Sequence, residues 1–483
     1  MKHKLSEAVK KQNLDKALRF LKRNGIKNTF YRSLEKLSEQ GCELKADPVC
    51  SGETLQKQRE QAFLHPYRIS VLVPAYETDP LHLKALIASV AAQSYANWEL
   101  CIADGSETDR VKNTVMEASG TLDLSDAGKI RYRKLPKNLG ISGNTNEALS
   151  MATGEYVGFL DHDDLLAPDA LYEVMKVLTE NLSKDGNVYS NRIRALYTDE
   201  DKTDECGTRF FEPHRKPGFD IDLLRSNNYI CHFFVVRTEI ARAVGGFSPE
   251  FDGAQDHDFI FRCLENVPVT AVAHIGKVLY HWRCHAASTA ENPASKTYAY
   301  EAGRRAVEAH LKRKGIRATV EDLPHLGFFR VVYEQVPSTI RHLTRKQWDE
   351  LTEETFSSIT EDYLMILAED LKPLTKDYLT ELASHLSRFE VGCVGGKVYD
   401  KHFRIESAGY TRGEDGKMIP NFHGLNGHFS GYMHRACLQQ RVDGLTLDCM
   451  MIRRSAVTFS ENGPVLANNY VVIFDPFAQF QRK

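Results

Sequence analysis

Several familiar signatures are missing from this 483-residue chain. No G-x-x-x-x-G-K-[ST] occurs, and no G-x-G-x-x-G follows the first strand-like run, so the P-loop and dinucleotide cradles are excluded. The 10 cysteines are scattered, without C-x-x-C or paired zinc spacing. That argues against a zinc module or a disulfide framework and fits a reducing cytoplasm. No signal peptide and no spanning apolar stretch is visible, so any membrane association is expected to be peripheral. The net charge is only −3, which gives no pull toward nucleic acid, and no nucleic-acid partner is expected.

What is present suits a globular protein of two or three domains, with 42% hydrophobic residues to build their cores. The first 45 residues stand apart, with 12 Lys/Arg against 5 Asp/Glu. Leu5, Val9, Leu14, Leu18 and Leu21 offer a partial helical stripe. A basic amphipathic helix can lie on an anionic membrane surface. The plainer reading is a helical cap packed on the domain that follows it in sequence, or a subunit contact in a homodimer. Cys50–Arg59 is polar and reads as a linker, so residues 1–66 form a basic helical segment with its linker.

From residue 67 strands and helices alternate. Arg68-Ile69-Ser70-Val71-Leu72-Val73-Pro74 is a strand ending at proline. Leu81, Leu83, Leu86, Ile87 and Val90 then recur at helical spacing. Trp98–Ala103 is a second strand, ending at Asp104-Gly105-Ser106, and residues 129–132 form a third. Gly140-Ile141-Ser142-Gly143 opens a helix to about Ala152. The apolar run Tyr156-Val157-Gly158-Phe159-Leu160 is a buried strand, and a helix spans Pro168 to about Leu178. Such alternation implies an α/β fold, a parallel sheet with helices on both faces, whose ligands bind outside the strands' carboxyl ends.

At one of those ends stands Asp161-His162-Asp163-Asp164. Three crowded carboxylates repel one another unless a hard cation or a solvated edge takes up the charge. Oxygen-only acidic clusters suit Mg²⁺ or Mn²⁺, which often bridge to phosphates. The bland alternative is a polar turn capping the next helix. Asp104, at a second carboxyl end, can accept hydrogen bonds from a pyrimidine imide or a ribose hydroxyl, and Asp161 and Asp163 can serve ribose and metal.

With Val71-Leu72-Val73-Pro74-Ala75-Tyr76-Glu77, Ala103-Asp104-Gly105-Ser106, Asn138-Leu139-Gly140-Ile141-Ser142 and Ala152-Thr153-Gly154-Glu155-Tyr156 in order, the chain resembles inverting family 2 glycosyltransferases. The likeness continues through Tyr197-Thr198-Asp199-Glu200-Asp201-Lys202, Gly245-Gly246-Phe247, Gly253-Ala254-Gln255-Asp256-His257-Asp258-Phe259 and Tyr280-His281-Trp282-Arg283. It covers about residues 67–325. It implies a GT-A fold, a Rossmann-like mixed sheet flanked by helices. It also implies a nucleotide-sugar donor, UDP- or dTDP-linked, and a saccharide or lipid-linked glycan acceptor. The setting it implies is bacterial O-antigen, capsule or other surface-polysaccharide assembly, with Mn²⁺ or Mg²⁺ as cofactor.

The resemblance also implies roles. Asp256 matches the family's general base, and Gln255 stands where many relatives have Glu; Asp258 is the reserve. Donor contacts fall on Pro74, Tyr76, Glu77, Asp104, Asn138, Gly140, Ser142, Asp161 and His162. Asp163 is the leading metal ligand, with Asp161 shared between metal and ribose. His281 either completes the coordination or packs beside Trp282. Arg283 pairs with phosphate or makes a surface ion pair. Trp282 stacks on an acceptor sugar or serves packing. Asp199-Glu200-Asp201 reads as a solvated loop with counterions, or as part of a pocket wall.

The last third carries a worn internal repeat. Glu155–Leu160 is echoed by Asp362-Tyr363-Leu364-Met365-Ile366-Leu367, followed by Ala368-Glu369-Asp370, with Ala368 where Asp161 would stand. His232-Phe233-Phe234-Val235-Val236-Arg237-Thr238 is echoed by Cys449-Met450-Met451-Ile452-Arg453-Arg454-Ser455. Residues 326–361 show no V-P-x-Y strand and no Asp-Gly-Ser, and nothing after Ser455 matches Gln255–Asp258. Residues 326–483 are therefore expected to be a degenerate, catalytically silent GT-A-like unit. The chain as a whole reads as a metal-dependent transferase of a hexosyl or deoxyhexosyl unit. A glycan-binding scaffold without activity and a nucleotidyltransferase are the rivals.

Overall fold

The computed structural model describes residues 2–39, 47–121, 129–185, 188–284, 297–461 and 463–483. The chain forms two compact units, one of Leu44–Phe219 with Asn228–Gly315 and one of Met1–Glu43, Asp220–Asn227 and Ile316–Lys483. This division differs from the sequence-based one, because a short internal segment and the N-terminal helix both join the C-terminal third.

In the first unit, strands β1 (Ile69–Ala75), β2 (Trp98–Asp104), β3 (Ile130–Lys134), β4 (Tyr156–Phe159) and β5 (Leu165–Leu166) are followed by a hairpin, β6 (Leu182–Asp185) and β7 (Val188–Asn191). Then come β8 (Ala195–Thr203), β9 (Phe210–His214), β10 (Phe234–Arg237) and β11 (Val272–Arg283). The main sheet runs β3-β2-β1-β4-β10-β8-β11-β5, with β9 on β8. Only β3, β2, β1 and β4 form the expected parallel array. Beyond β4 the sheet is mixed, because β10 runs antiparallel to both β4 and β8. The order reverses at β1, between β2 and β4, which opens a crevice at their carboxyl ends.

Helix Pro80–Ala91 starts where Asp79 caps the Leu81 amide and Pro80 takes the first turn, and it buries Leu83, Leu86, Ile87 and Val90. Leu81 lies off that stripe, 75% exposed. Helices Gly140–Met151 and Ala170–Glu180 fall close to the expected spans.

The second unit repeats six strands of this plan. Its sheet order is Ile340–Leu343, Tyr363–Leu367, Cys449–Arg453, Val391–Tyr399, Val471–Arg482, Leu371–Pro373. The directions of successive pairs reproduce those of β1-β4-β10-β8-β11-β5. Strand Ile340–Leu343 thus answers to β1, which the sequence of 326–361 had not betrayed. Among the described residues no strand answers to β2 or β3. Register also moves the second echo by one residue. Arg237 pairs with Tyr156, and Arg453, not Arg454, pairs with Tyr363. Each arginine lies over its tyrosine ring, 5.5 and 5.8 Å from the centroid. A slip of one would turn every side chain to the opposite face.

Helix Lys2–Glu39, broken at Gly25, packs within the second unit. The Glu35 carboxylate accepts from the Ser430 and Gly431 amides at 2.8 Å, and Tyr31 stacks on His428 at 3.8 Å. The helix thus falls in the unit of the C-terminal third, which differs from the cap expected on the domain that follows it in sequence. The side chains of Leu5, Val9 and Leu14, and residues 40–46, lie outside the described residues. Among the described residues no helix is long and apolar enough to cross a membrane.

Residues Asp220–Asn227 are held in this unit by a buried charge cluster. Asp222 accepts from Arg388 at 2.6 Å and Arg225 at 3.2 Å, with Arg441 at 3.3 Å. Burial disfavours the Asp222 carboxylate, but these three guanidiniums outweigh it and hold its pKa well below the usual range. The folded-state pKa lies below the unfolded one, so the stabilisation is present at neutral pH and is lost only as the pH falls through that low value. Removing one partner of a buried pair strands the others. Asp222→Ala is expected to cost about 3–5 kcal/mol, read as a lowered urea midpoint for the full chain at pH 7.

Candidate active site

The crevice edge is built first by Asp104, fully buried at the end of β2. Its carboxylate accepts from the Ser106 amide at 2.8 Å, the Tyr132 hydroxyl at 2.6 Å and Lys134 Nζ at 3.2 Å. Gly105 is required by crowding, since a Cβ there would meet Asn144 Nδ2 at 2.8 Å and Asn138 at 3.1 Å. Ala75 stands opposite Asp104 in register, so Tyr76 and Glu77 emerge at the same edge. Tyr76 is exposed there and Pro74 is buried in β1. Glu77 accepts from the Glu107 and Thr108 amides at 2.8 and 2.9 Å. Those bonds, with the Thr108 hydroxyl, hold its pKa below the usual carboxylate range.

Asn138 and Gly140 shape the next turn. Asn138 Oδ1 accepts from the Gly140 amide at 3.0 Å and from Asn144 at 3.1 Å. Gly140 has φ +76°, a conformation costly to other residues. Ser142 is fully buried and its hydroxyl donates to Asp252, so it stiffens this turn rather than facing the crevice.

The acidic run follows β4. Asp161 is the open member, its side chain 44% exposed. Desolvation raises its pKa first, His232 opposes this, and Asp163 and Asp256 raise it further. His162 Nδ1 lies 3.1 Å from the Thr78 hydroxyl. Asp163 is half-buried, and its backbone carbonyl accepts from Arg283 Nε at 2.5 Å. Asp164 is 1% exposed and structural. It accepts from the Tyr280 hydroxyl at 2.5 Å and the Arg283 amide at 2.7 Å, and burial with its acidic neighbours pushes its pKa well up.

Arg283 is neither a surface ion pair nor an open phosphate ligand. It is 1% exposed and ties the Asp163 carbonyl to the Glu205 carbonyl, 2.6 Å from NH1. Trp282 is partly buried against the core.

Histidine assignments change. His281 Nδ1 sits 2.6 Å from Asp201, with the ring on Phe210 at 4.3 Å. The imidazole gathered beside the acidic run is His232, its Nε2 3.8 Å from Asp161 Oδ2. Asp161, Asp164 and His232 bring ligand atoms within 4.8 Å of one another. His232 stacks on Tyr280 at 4.5 Å, and its Nδ1 lies 3.1 Å from Glu200. Burial opposes protonation of His232, yet Cys231 and Glu200 together lift its pKa well above 6.5.

Glu200 corrects another expectation. Asp199-Glu200-Asp201 is not a solvated loop: all three are buried in β8. Their partners come from elsewhere in the same unit. Lys216 Nζ reaches Glu200 at 3.1 Å, His274 reaches Asp199 at 2.7 Å, and His281 reaches Asp201. Despite burial, Lys216, His214 and His232 hold the Glu200 pKa well below its usual value.

On the other side of His232, Cys231 Sγ lies 3.4 Å from His232 Nε2 and 3.5 Å from Asp256 Oδ2. Asn228 donates to the same Asp256 oxygen at 2.6 Å. Asp256 is half-buried in the first turn of helix Gln255–Leu264. Asp258, two residues further on, is fully buried, with Arg262 at 2.7 Å and Arg313 at 3.3 Å. Its two oxygens are each engaged by a guanidinium. His232, Cys231, Asn228 and Tyr280 escaped the sequence reading as site residues. The one local signal was a Cys-His pair ahead of an apolar strand.

Residues 70–245 match the model of "Glycosyl transferase family 2". The chain is 32% identical over 448 residues to the uncharacterized protein y4gI of Sinorhizobium fredii, covering 80% of this chain and 48% of that one. It is 29% identical over 408 residues to the O-antigen biosynthesis protein RfbC of Myxococcus xanthus, covering 72% and 31%. This chain therefore spans about half or less of the length of these relatives. Among solved structures, TarS of S. aureus (residues 1–349) aligns with a TM-score of 0.38 and 19% identity over 50% of this chain and 65% of that one. Residues 70–245, with their GT-A-like mixed sheet between helices, thus belong to glycosyl transferase family 2.

Proposed function

We propose that the first unit transfers a hexosyl or deoxyhexosyl unit from a nucleotide-sugar to a saccharide hydroxyl, with inversion, in bacterial surface-polysaccharide assembly. The relative named for O-antigen biosynthesis supports that setting. The observation that carries the reading is the run of contacts from Asp161 through His232 and Cys231 to Asp256. It joins two carboxylates, which supports reading Asp161 as donor-side and Asp256 as acceptor-side.

Asp104 is suited to accept from the donor's base or ribose, because Tyr132, Lys134 and the Ser106 amide hold its carboxylate rigid. Asp161 and Asp163 fit a hard divalent cation, Mn²⁺ or Mg²⁺, by donor chemistry and by the open face of Asp161. Asp164 has little to offer one, since both its oxygens are engaged. A bound ion would supply Lewis-acid stabilisation of the departing diphosphate. Arg283 fixes the Asp163 backbone, so the acidic turn keeps its shape when charge accumulates. Asp256, its Oδ2 held by Asn228, presents its other oxygen for the acceptor hydroxyl proton, as general base. A UDP- or dTDP-linked donor fits the pyrimidine-accepting reading of Asp104. A lipid-linked glycan acceptor would bring the enzyme to the inner face of the plasma membrane.

A screen of nucleotide sugars with Mn²⁺ and an oligosaccharide acceptor tests this. The expected product is nucleoside diphosphate in step with glycoside. Release of pyrophosphate instead, or donor binding without turnover across the screen, would overturn the assignment.

A further inference from the structure

The second unit carries the same edge with its charges rearranged. Pairing of Tyr363 with Arg453 matches that of Tyr156 with Arg237. Counting from these anchors puts Ala368 at the place of Asp161, Asp370 at that of Asp163, and Asp448 at that of His232. Gln481 pairs with Lys372 as His281 pairs with Leu165, so Arg482 takes the place of Trp282. A cleft of about 570 Å³ opens here, lined by Arg345, Ala368, Glu369, Asp370, Asp448 and Arg482 among others.

All three nitrogens of the Arg482 guanidinium are committed. NH1 donates to both Asp370 oxygens at 2.9 Å, Nε to Glu406 at 3.1 Å, and NH2 to Glu406 at 2.6 Å and Asp448 at 2.5 Å. Arg345 adds a second cation 3.5 Å from Asp448. Three carboxylates therefore converge on one positive charge that the chain itself supplies. Guanidinium is always protonated, and its planar fork engages carboxylates in pairs. A divalent ion entering this group would meet two positive charges and oxygens already engaged.

We propose that Arg482 is a built-in cation that closes the second unit's counterpart of the metal position, so that this unit takes up neither a divalent ion nor a metal-bound nucleoside diphosphate. The converse follows from the same residues. Without the guanidinium, Asp370, Glu406 and Asp448 are an oxygen-only set whose ligand atoms, spaced around Arg482 in this structure, must draw together to hold Mn²⁺. The inference rests on the metal position proposed for Asp161 and Asp163, but its test does not, because any ion held there is common to all the variants compared.

The test counts Mn²⁺ ions per full-length chain by electron paramagnetic resonance of the free ion, with Mn²⁺ alone as probe. Arg482→Ala should bind one ion more than the wild type. Arg482→Lys, which keeps a cation, should match the wild type. Asp370→Ala in the otherwise native chain should leave the count unchanged. Equal counts for wild type and a folded Arg482→Ala would overturn the proposal. So would loss of an ion in Asp370→Ala, which remains decisive if Arg482→Ala fails to fold.

Discussion

Asp256→Asn is expected to lower turnover by about 10²–10⁴-fold, the usual worth of general-base assistance. That corresponds to roughly 3–5 kcal/mol on the barrier. Asparagine keeps the size and the acceptor oxygen that meets Asn228, so the helix start should stand, but it cannot take a proton. Donor affinity should barely change, because the base serves the acceptor. Residual product should carry the anomeric configuration opposite to that of the donor, since a single displacement inverts the centre. Near-normal turnover would remove Asp256 from the role. The fallback is weak, because Asp258 is buried between Arg262 and Arg313. Retained configuration in the native product, read by NMR, would overturn single displacement whichever aspartate is the base.

The second large effect is on the donor side. Asp163→Ala should abolish measurable transfer and metal-dependent nucleotide binding while leaving the fold intact. The bond from its carbonyl to Arg283 is one that alanine retains. Losing a ligand removes several kcal/mol of charge stabilisation on the departing diphosphate, on the order of 10³-fold or more in rate. Calorimetric titration of UDP with and without Mn²⁺ separates the two losses. Full activity of the native chain in excess chelator would refute the metal reading altogether.

In the parallel half of the first sheet, β1, β2 and β4 were legible because each is a short apolar run with punctuation at its end: Pro74, Asp104-Gly105, Asp161. The mixed half was harder. The acidic run Asp199–Asp201 looks solvated in one dimension, since its partners Lys216, His274 and His281 come from other parts of the chain. The same distance hid His232, whose meaning depends on Glu200 and Asp161 standing on either side. His281 and Trp282 drew attention by type alone. Periodicity placed them on a strand without saying which neighbour each would meet. In the C-terminal third the repeat was visible at Tyr363–Leu367. Its register was not, because an apolar strand of similar residues fits its echo nearly as well when slipped by one.

The passage of Asp220–Asn227 into the second unit has a consequence for biosynthesis. Arg388 follows Asp222 by 166 residues, and Arg441 by more, so the ribosome delivers these two partners long after Asp222 itself. Until then Leu223 and Leu224, buried in the finished fold, have no cover from those later residues, and the Asp222 carboxylate lacks two of its three guanidiniums. A nascent chain stopped near residue 315 would carry the first unit's strands in full yet hold this segment unsheltered, a state open to self-association. The first unit is thus tied by its own covalent path to completion of the second.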